Sequence, residues 1–217
     1  MMLSTLSKNG GMLAAFAIVT TALIALTFSG TEKRIAYQQE KRLLAVLNEV
    51  VPESYHTNTL FEDCAAVSSP LLGNREPHLV YRARIDGAPS ALALETTAPD
   101  GYSGNIELVV GVDTSLTVLG VRVVDHKETP GLGDKIELAV SDWILSFNQK
   151  QFDADKLSRW QVKKDGGDFD AFTGATITPR AVVEAVKNTL LFVQQNQSAL
   201  FSLPNDCAST GNEGEQQ

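Results

Sequence analysis

The chain has 217 residues, a formal net charge of −8 and a pI near 4.9. That acidity excludes a face for nucleic-acid backbones, which must be net basic, and no cluster of Lys and Arg interleaved with aromatics offsets it. Two cysteines, Cys64 and Cys207, are too few for a cysteine-ligated iron–sulfur cluster or a four-cysteine zinc site within one chain. His56, His78 and His126 are too scattered to suggest a metal and read as partly exposed surface residues. In an oxidising compartment Cys64 and Cys207 could form one disulfide pinning the C-terminal tail; two free thiols is the equal alternative.

From Gly11 to Gly30 the chain carries no charge and is mostly apolar. About twenty helical residues cross a bilayer core of roughly 30 Å, so residues 11–30 are expected to form an uncleaved transmembrane helix after a ten-residue cytoplasmic N-terminus. Only Lys8 precedes the span, whereas Lys33, Arg34, Lys41 and Arg42 follow it, and positive charge alone would keep the C-terminal part inside. Residues 31–76 are expected to hold a membrane-proximal helix, with Ile35, Leu43, Leu44, Leu47 and Val50 near one face, ended by Pro52, and then a connecting segment.

From Leu79 the period changes to two. Leu79, Tyr81, Ala83 and Ile85 alternate with His78, Val80, Arg82 and Arg84, Asp86-Gly87 turns the chain, and Ala91–Glu95 returns. Ile106, Leu108 and Val110 alternate up to Asp113, and Leu116–Val124 follows a Thr114-Ser115 turn. Gly111 and Gly120 inside these runs mark a bulge or the close approach of another group. Ser141-Asp142 opens a short helix through Trp143, Ile144 and Phe147. The last helix is expected from Pro179 to about Val193, burying Val182, Val183, Val186, Leu190 and Val193. Residues 77–203 thus read as one domain, and residues 204–217 as a mobile tail with too few apolar residues to pack. The fold class is α+β: a transmembrane helix, then a compact antiparallel sheet with helices packed on it.

The stretch Asp165-Gly166-Gly167-Asp168-Phe169-Asp170-Ala171-Phe172-Thr173-Gly174-Ala175-Thr176-Ile177-Thr178-Pro179-Arg180 carries the chemistry. It is a glycine-containing loop feeding a helix, with Thr178 as a suitable N-cap and Pro179 at the first helical position. Unpaired amides and the dipole at such a helix start favour an anion, and Arg180 could add a charge-assisted contact. Neither a Walker A lysine motif nor a G-x-G-x-x-G after a strand is present. The residues alone therefore support a phosphate at a helix start, or an ordinary capped helix.

Asp170-x-x-Thr173-Gly174-Ala175-Thr176 resembles the flavinylation motif, D-x-x-[S/T]-G-A-T, of the FMN-binding domain family. Gly101-Tyr102-Ser103-Gly104-x-Ile106 and His126-Lys127-Glu128-Thr129-Pro130-Gly131-Leu132-Gly133-Asp134 resemble two further family segments, in the family's order. With the single anchor and the chain length, the whole is similar to the G subunits of Rnf/Rsx electron-transport complexes. The longer C subunits of sodium-pumping NADH:quinone reductases share the motif and are the rival.

The resemblance implies FMN attached through its phosphate to Thr176 by a dedicated flavin transferase. Asp170, Thr173, Gly174, Ala175 and Thr178 would surround the attachment. Glu128, Thr129, Gly131, Leu132 and Gly133 would lie by the ring, with two glycines admitting backbone amides and Leu132 packing on its face; from the residues alone, Pro130-Gly131-Leu132-Gly133 also reads as a tight turn between a strand and a helix. Tyr102 would stack there or be a core tyrosine, whereas Trp143 and Trp160 read as core. The implied role is an electron carrier in a bacterial inner-membrane complex, between ferredoxin or NADH and ion translocation, with other membrane and redox subunits as partners and no catalysis by the isolated chain. It also implies a periplasmic C-terminal domain, against the charge rule. A non-redox membrane-tethered module of the same fold and a threonine-nucleophile hydrolase are the competing classes; the second would need a base, and no histidine lies near the motif in sequence.

Overall fold

The structure, a computed structural model, describes residues 2–207. Helix α1 runs from Met2 to Val50 without interruption. Its segment Asn9–Phe28 has a mean hydropathy of 2.1 and exposed side chains, long and apolar enough to cross a membrane. The chain divides into two compact units, residues 1–43 and 44–217. Leu47 and Val50 are buried and Leu43 and Leu44 half-buried; the side chain of Ile35 lies outside the described residues.

In the second unit five strands form one antiparallel sheet in sequence order: β1 (Cys64–Val67), β2 (His78–Ile85), β3 (Ala88–Gly101), β4 (Gly104–Asp113) and β5 (Val118–Asp125). Two parts exceed the expectation. Strand β1, inside the segment read as a connection, pairs with β2 through Cys64↔Tyr81 to Val67↔His78. The return strand is β3, fourteen residues long, because its pairing with β4 continues as far as Gly101↔Gly104.

Register gives the sheet two unlike faces. Val80, Leu92, Leu94, Leu108, Val110 and Val121 form a core with helix α2 (Ile177–Ser202), which buries Val182, Val183, Val186, Leu190 and Val193. The other face carries a patch of small residues, Ala83, Ala91, Ala93, Gly111 and Gly120, beside Tyr81, Glu95 and Val109. The end of α1 lies on this face. A Cβ at Gly111 would stand 2.0 Å from the Val50 carbonyl oxygen, and the β4–β5 register also shifts between Gly111 and Val112, so close approach and a bulge coincide at that glycine.

Three expectations change here. Helix α2 begins two residues before Pro179 and continues to Ser202. His78 is buried, with Nε2 3.1 Å from Thr97 Oγ1, so it is not a surface residue. The tail is docked as far as Cys207: the Ala66 amide donates to Asp206 Oδ2, the Asp206 amide to the Cys64 carbonyl, and Cys207 is disulfide-bonded to Cys64. A polar segment has packed by pairing with a strand edge instead of burying apolar surface. The rest of the tail, 208–217, lies outside the described residues.

Candidate functional site

The acceptor segment stands on an aromatic base. Trp143, Phe147, Trp160, Phe169 and Phe172 pack ring against ring with centroids 4.4–6.4 Å apart. Trp143 Nε1 also donates to the Asp170 carbonyl at 2.8 Å. Above this base Phe172–Ala175 is a tight turn, closed by the Ala175 amide donating to the Phe172 carbonyl at 3.2 Å. Gly174, third in the turn, has φ of +84°, which glycine adopts without steric cost.

The turn delivers Thr176 to the position just before α2. Thr176 is half-buried and makes no side-chain capping hydrogen bond. The first amides of a helix have no intrahelical partner, and they stand here beside a threonine hydroxyl. Thr178, expected as the cap, lies inside the first turn. Its buried hydroxyl donates to Glu128 Oε2. Pro179 remains compatible with the helix because it is still within the first turn. Arg180 does not extend the anion site; its guanidinium is bidentate to Asp165 at 2.5 and 2.7 Å and holds that carboxyl below the usual carboxylate range.

The Glu128 loop forms the facing wall. Thr129–Leu132 is a turn with Pro130 second and Gly131 third at φ +78°, and the amides of Leu132 and Gly133 both donate to the Thr129 carbonyl. A Cβ at Gly131 would meet nothing within 4 Å, so that glycine serves the turn. At Gly133 a Cβ would lie 2.8 Å from Glu128 Oε2 and 3.0 Å from Thr178 Oγ1. The chain's own packing therefore requires that glycine, whatever approaches from outside. Leu132 leans across to the acceptor turn, its Cδ2 3.6 Å from where a Gly174 Cβ would be.

These pieces enclose a cleft of about 370 Å³. It is lined by Tyr102, Glu128, Thr129, Leu132, Gly133, Gly174, Ala175, Thr176 and Thr178, all singled out in the sequence, and by Ile177, which was not. Thr173, Gly131 and Asp170 are not in the lining; Asp170 points its carboxylate to Lys163, 2.7 Å away. Tyr102, Leu132 and Ile177 are 69%, 44% and 45% exposed, an apolar rim around a floor of helix amides. That combination, apolar walls for a flat ring and a helix start for a phosphate, fits FMN in size and chemistry. A larger depression of about 620 Å³, bordered by Gln149, Lys156, Trp160 and Asp168, contains none of the acceptor-motif residues. Among the described residues no group of three or more His, Cys, Asp or Glu could hold a metal.

The chain matches the FMN-binding domain family over residues 101–191 and the RnfG N-terminal region over residues 1–50. It is 56% identical over 205 residues to the G subunit of the ion-translocating oxidoreductase complex of Pseudoalteromonas atlantica, covering 94% of this chain and 95% of that one. The corresponding G subunit of Vibrio cholerae is 53% identical over 206 residues, with 95% and 99% covered. A solved structure, NqrC of Shewanella oneidensis, aligns with a TM-score of 0.49 and 25% identity over 69% of this chain and 73% of that one.

Proposed function

Because the chain belongs to the family of G subunits of ion-translocating oxidoreductase complexes, in which it is a redox subunit with an FMN-binding domain, we propose that its FMN is joined through the phosphate to Thr176. This reading rests on the position of Thr176: at the mouth of α2, in the cleft, with no capping bond of its own. The helix amides hold the phosphate charge, and Tyr102, Leu132 and Ile177 bound the ring and keep water from one side of it. When bound, FMN supplies one- or two-electron redox chemistry, and the protein orients it and sets its surroundings. A covalent tether prevents loss of cofactor from a domain with an open cleft. Relatives that match end to end are G subunits, which favours this assignment over a C subunit of a sodium-pumping reductase.

Attachment by a flavin transferase, and a role as one relay of electrons from ferredoxin or NADH with no turnover by the isolated chain, belong to the same proposal. Thr176→Ala should abolish the fluorescent band of the denatured protein under ultraviolet light while the domain still folds; an undiminished band would reject Thr176 as the acceptor.

The second unit is proposed to lie on the periplasmic side of the inner membrane. The positive charges after the span argue the other way. The Cys64–Cys207 disulfide favours the periplasm, since such bonds form and persist in oxidising compartments. A reporter enzyme active only in the periplasm, fused after Gln217, should be active; activity from a cytoplasm-only reporter at the same junction would reverse the orientation.

A further inference from the structure

Glu128 borders the cleft at only 5% exposure, and its carboxylate joins three segments. Oε1 accepts from the Ser103 amide at 2.9 Å, at the β3–β4 hairpin, and Oε2 accepts the Thr178 hydroxyl in the first turn of α2. The Glu128 amide itself donates to His126 Nδ1 at 3.0 Å. His126 Nε2 in turn lies 2.6 Å from Glu137 Oε1, so that ring is engaged away from the Glu128 carboxylate. Among the described residues Glu128 has no ion-pair partner; its charge is met by two hydrogen bonds and the positive end of α2. A fixed charge screened so little acts on a second charge in the same cleft far more strongly than it would through water.

We propose that Glu128 is the positioning residue of the cleft and, through its uncompensated carboxylate, the group that holds the potential of the bound FMN low. An electron entering the ring adds negative charge beside a negative charge that the fold cannot move away. The inference rests on the proposed FMN site.

Glu128→Gln separates the charge from the shape. The amide oxygen can keep the Ser103 bond, and the amide NH2 can donate to Thr178 Oγ1, because a hydroxyl reverses from donor to acceptor by rotation. The full chain, made with the transferase, is compared with the parent by in-gel fluorescence and by anaerobic spectroscopic titration at one pH. Dithionite supplies two electrons per FMN, with one or two protons taken from the buffer. E128Q should be fluorescent, and at the parent's midpoint its reduced-to-oxidised ratio should rise at least tenfold, a shift of about 30 mV to more positive potential for the two-electron couple. Glu128→Asp, which restores the charge, should move back toward the parent. If E128Q carries less flavin, the titration still reads the flavin that is bound. A labelled E128Q with the parent's potential overturns the inference and leaves the site standing, since a purely structural staple alters labelling and not potential. A parent without flavin on Thr176 overturns both.

Discussion

At its C-terminal end α2 is closed by side chains from the β1–β2 edge of the sheet, whereas at its N-terminal end no side chain caps it. Arg82, 2% exposed, donates to the Leu200 and Leu203 carbonyls and pairs with Asp63; Arg84 donates to the Phe201 carbonyl and pairs with the other Asp63 oxygen. The Cys64–Cys207 bond fastens the chain just beyond. At the other end Thr176 leaves the first amides without a side-chain partner. Both ends obey one electrostatic rule, cations at the carbonyl end and anions at the amide end. At one end the chain's own guanidinium groups reach the last carbonyls; at the other Glu128 reaches only the Thr178 hydroxyl, and the proposed phosphate ester meets the first amides. The buried guanidinium and the disulfide thus fasten the helix at the end far from the chemistry, while the first amides at the reactive end have no side-chain cap.

That contrast can be broken at the closed end. Arg82→Leu leaves Asp63 paired with Arg84 alone and takes the donor from the Leu200, Leu203 and Cys64 carbonyls; it should cost about 3 kcal/mol or more in chemical denaturation, since each buried group left without its hydrogen bond costs about 1–3 kcal/mol. Cys207→Ser should cost about 2–5 kcal/mol, because the bridge closes a sequence separation of 143 residues. The Cys207→Ser protein that does fold should keep its flavin, as nothing at the open end has changed. Flavin lost in proportion to intact folded protein would mean that the two ends are not independent.

The smallest effect is expected from Arg180→Ala. Its pair with Asp165 is solvent-exposed, so the melting temperature should not measurably change, and labelling should persist because Arg180 is committed to Asp165 and not to the helix start. Loss of the label in a folded Arg180→Ala protein would restore Arg180 to the anion site.

The open end is far more legible in the sequence than the closed one. The run from Asp170 to Thr176 is contiguous, and the apolar face of α2 repeats with helical period, so both can be read locally. The closed end depends on partners distant in sequence: Asp63 with Arg82 and Arg84, the tail with β1, Cys64 with Cys207. Strand β1 has only four residues, Cys-Ala-Ala-Val, too short for an alternation to show. The tail reads as mobile because it lacks apolar residues, yet Asn205 and Asp206 bond the β1 backbone with their side chains. Within the site, Thr178 looks like a cap by its place before Pro179. Its partner Glu128 lies 50 residues away, which no local pattern reveals.

Whether the open end of α2 carries its anion as an ester on Thr176 is read most directly by mass spectrometry of the full chain made with its transferase. The expected increment is one FMN less one water, assigned to Thr176 by fragmentation of the peptide containing Phe172–Arg180. An unmodified Thr176 in protein that nevertheless holds flavin, or the increment on Thr173, would contradict the ester.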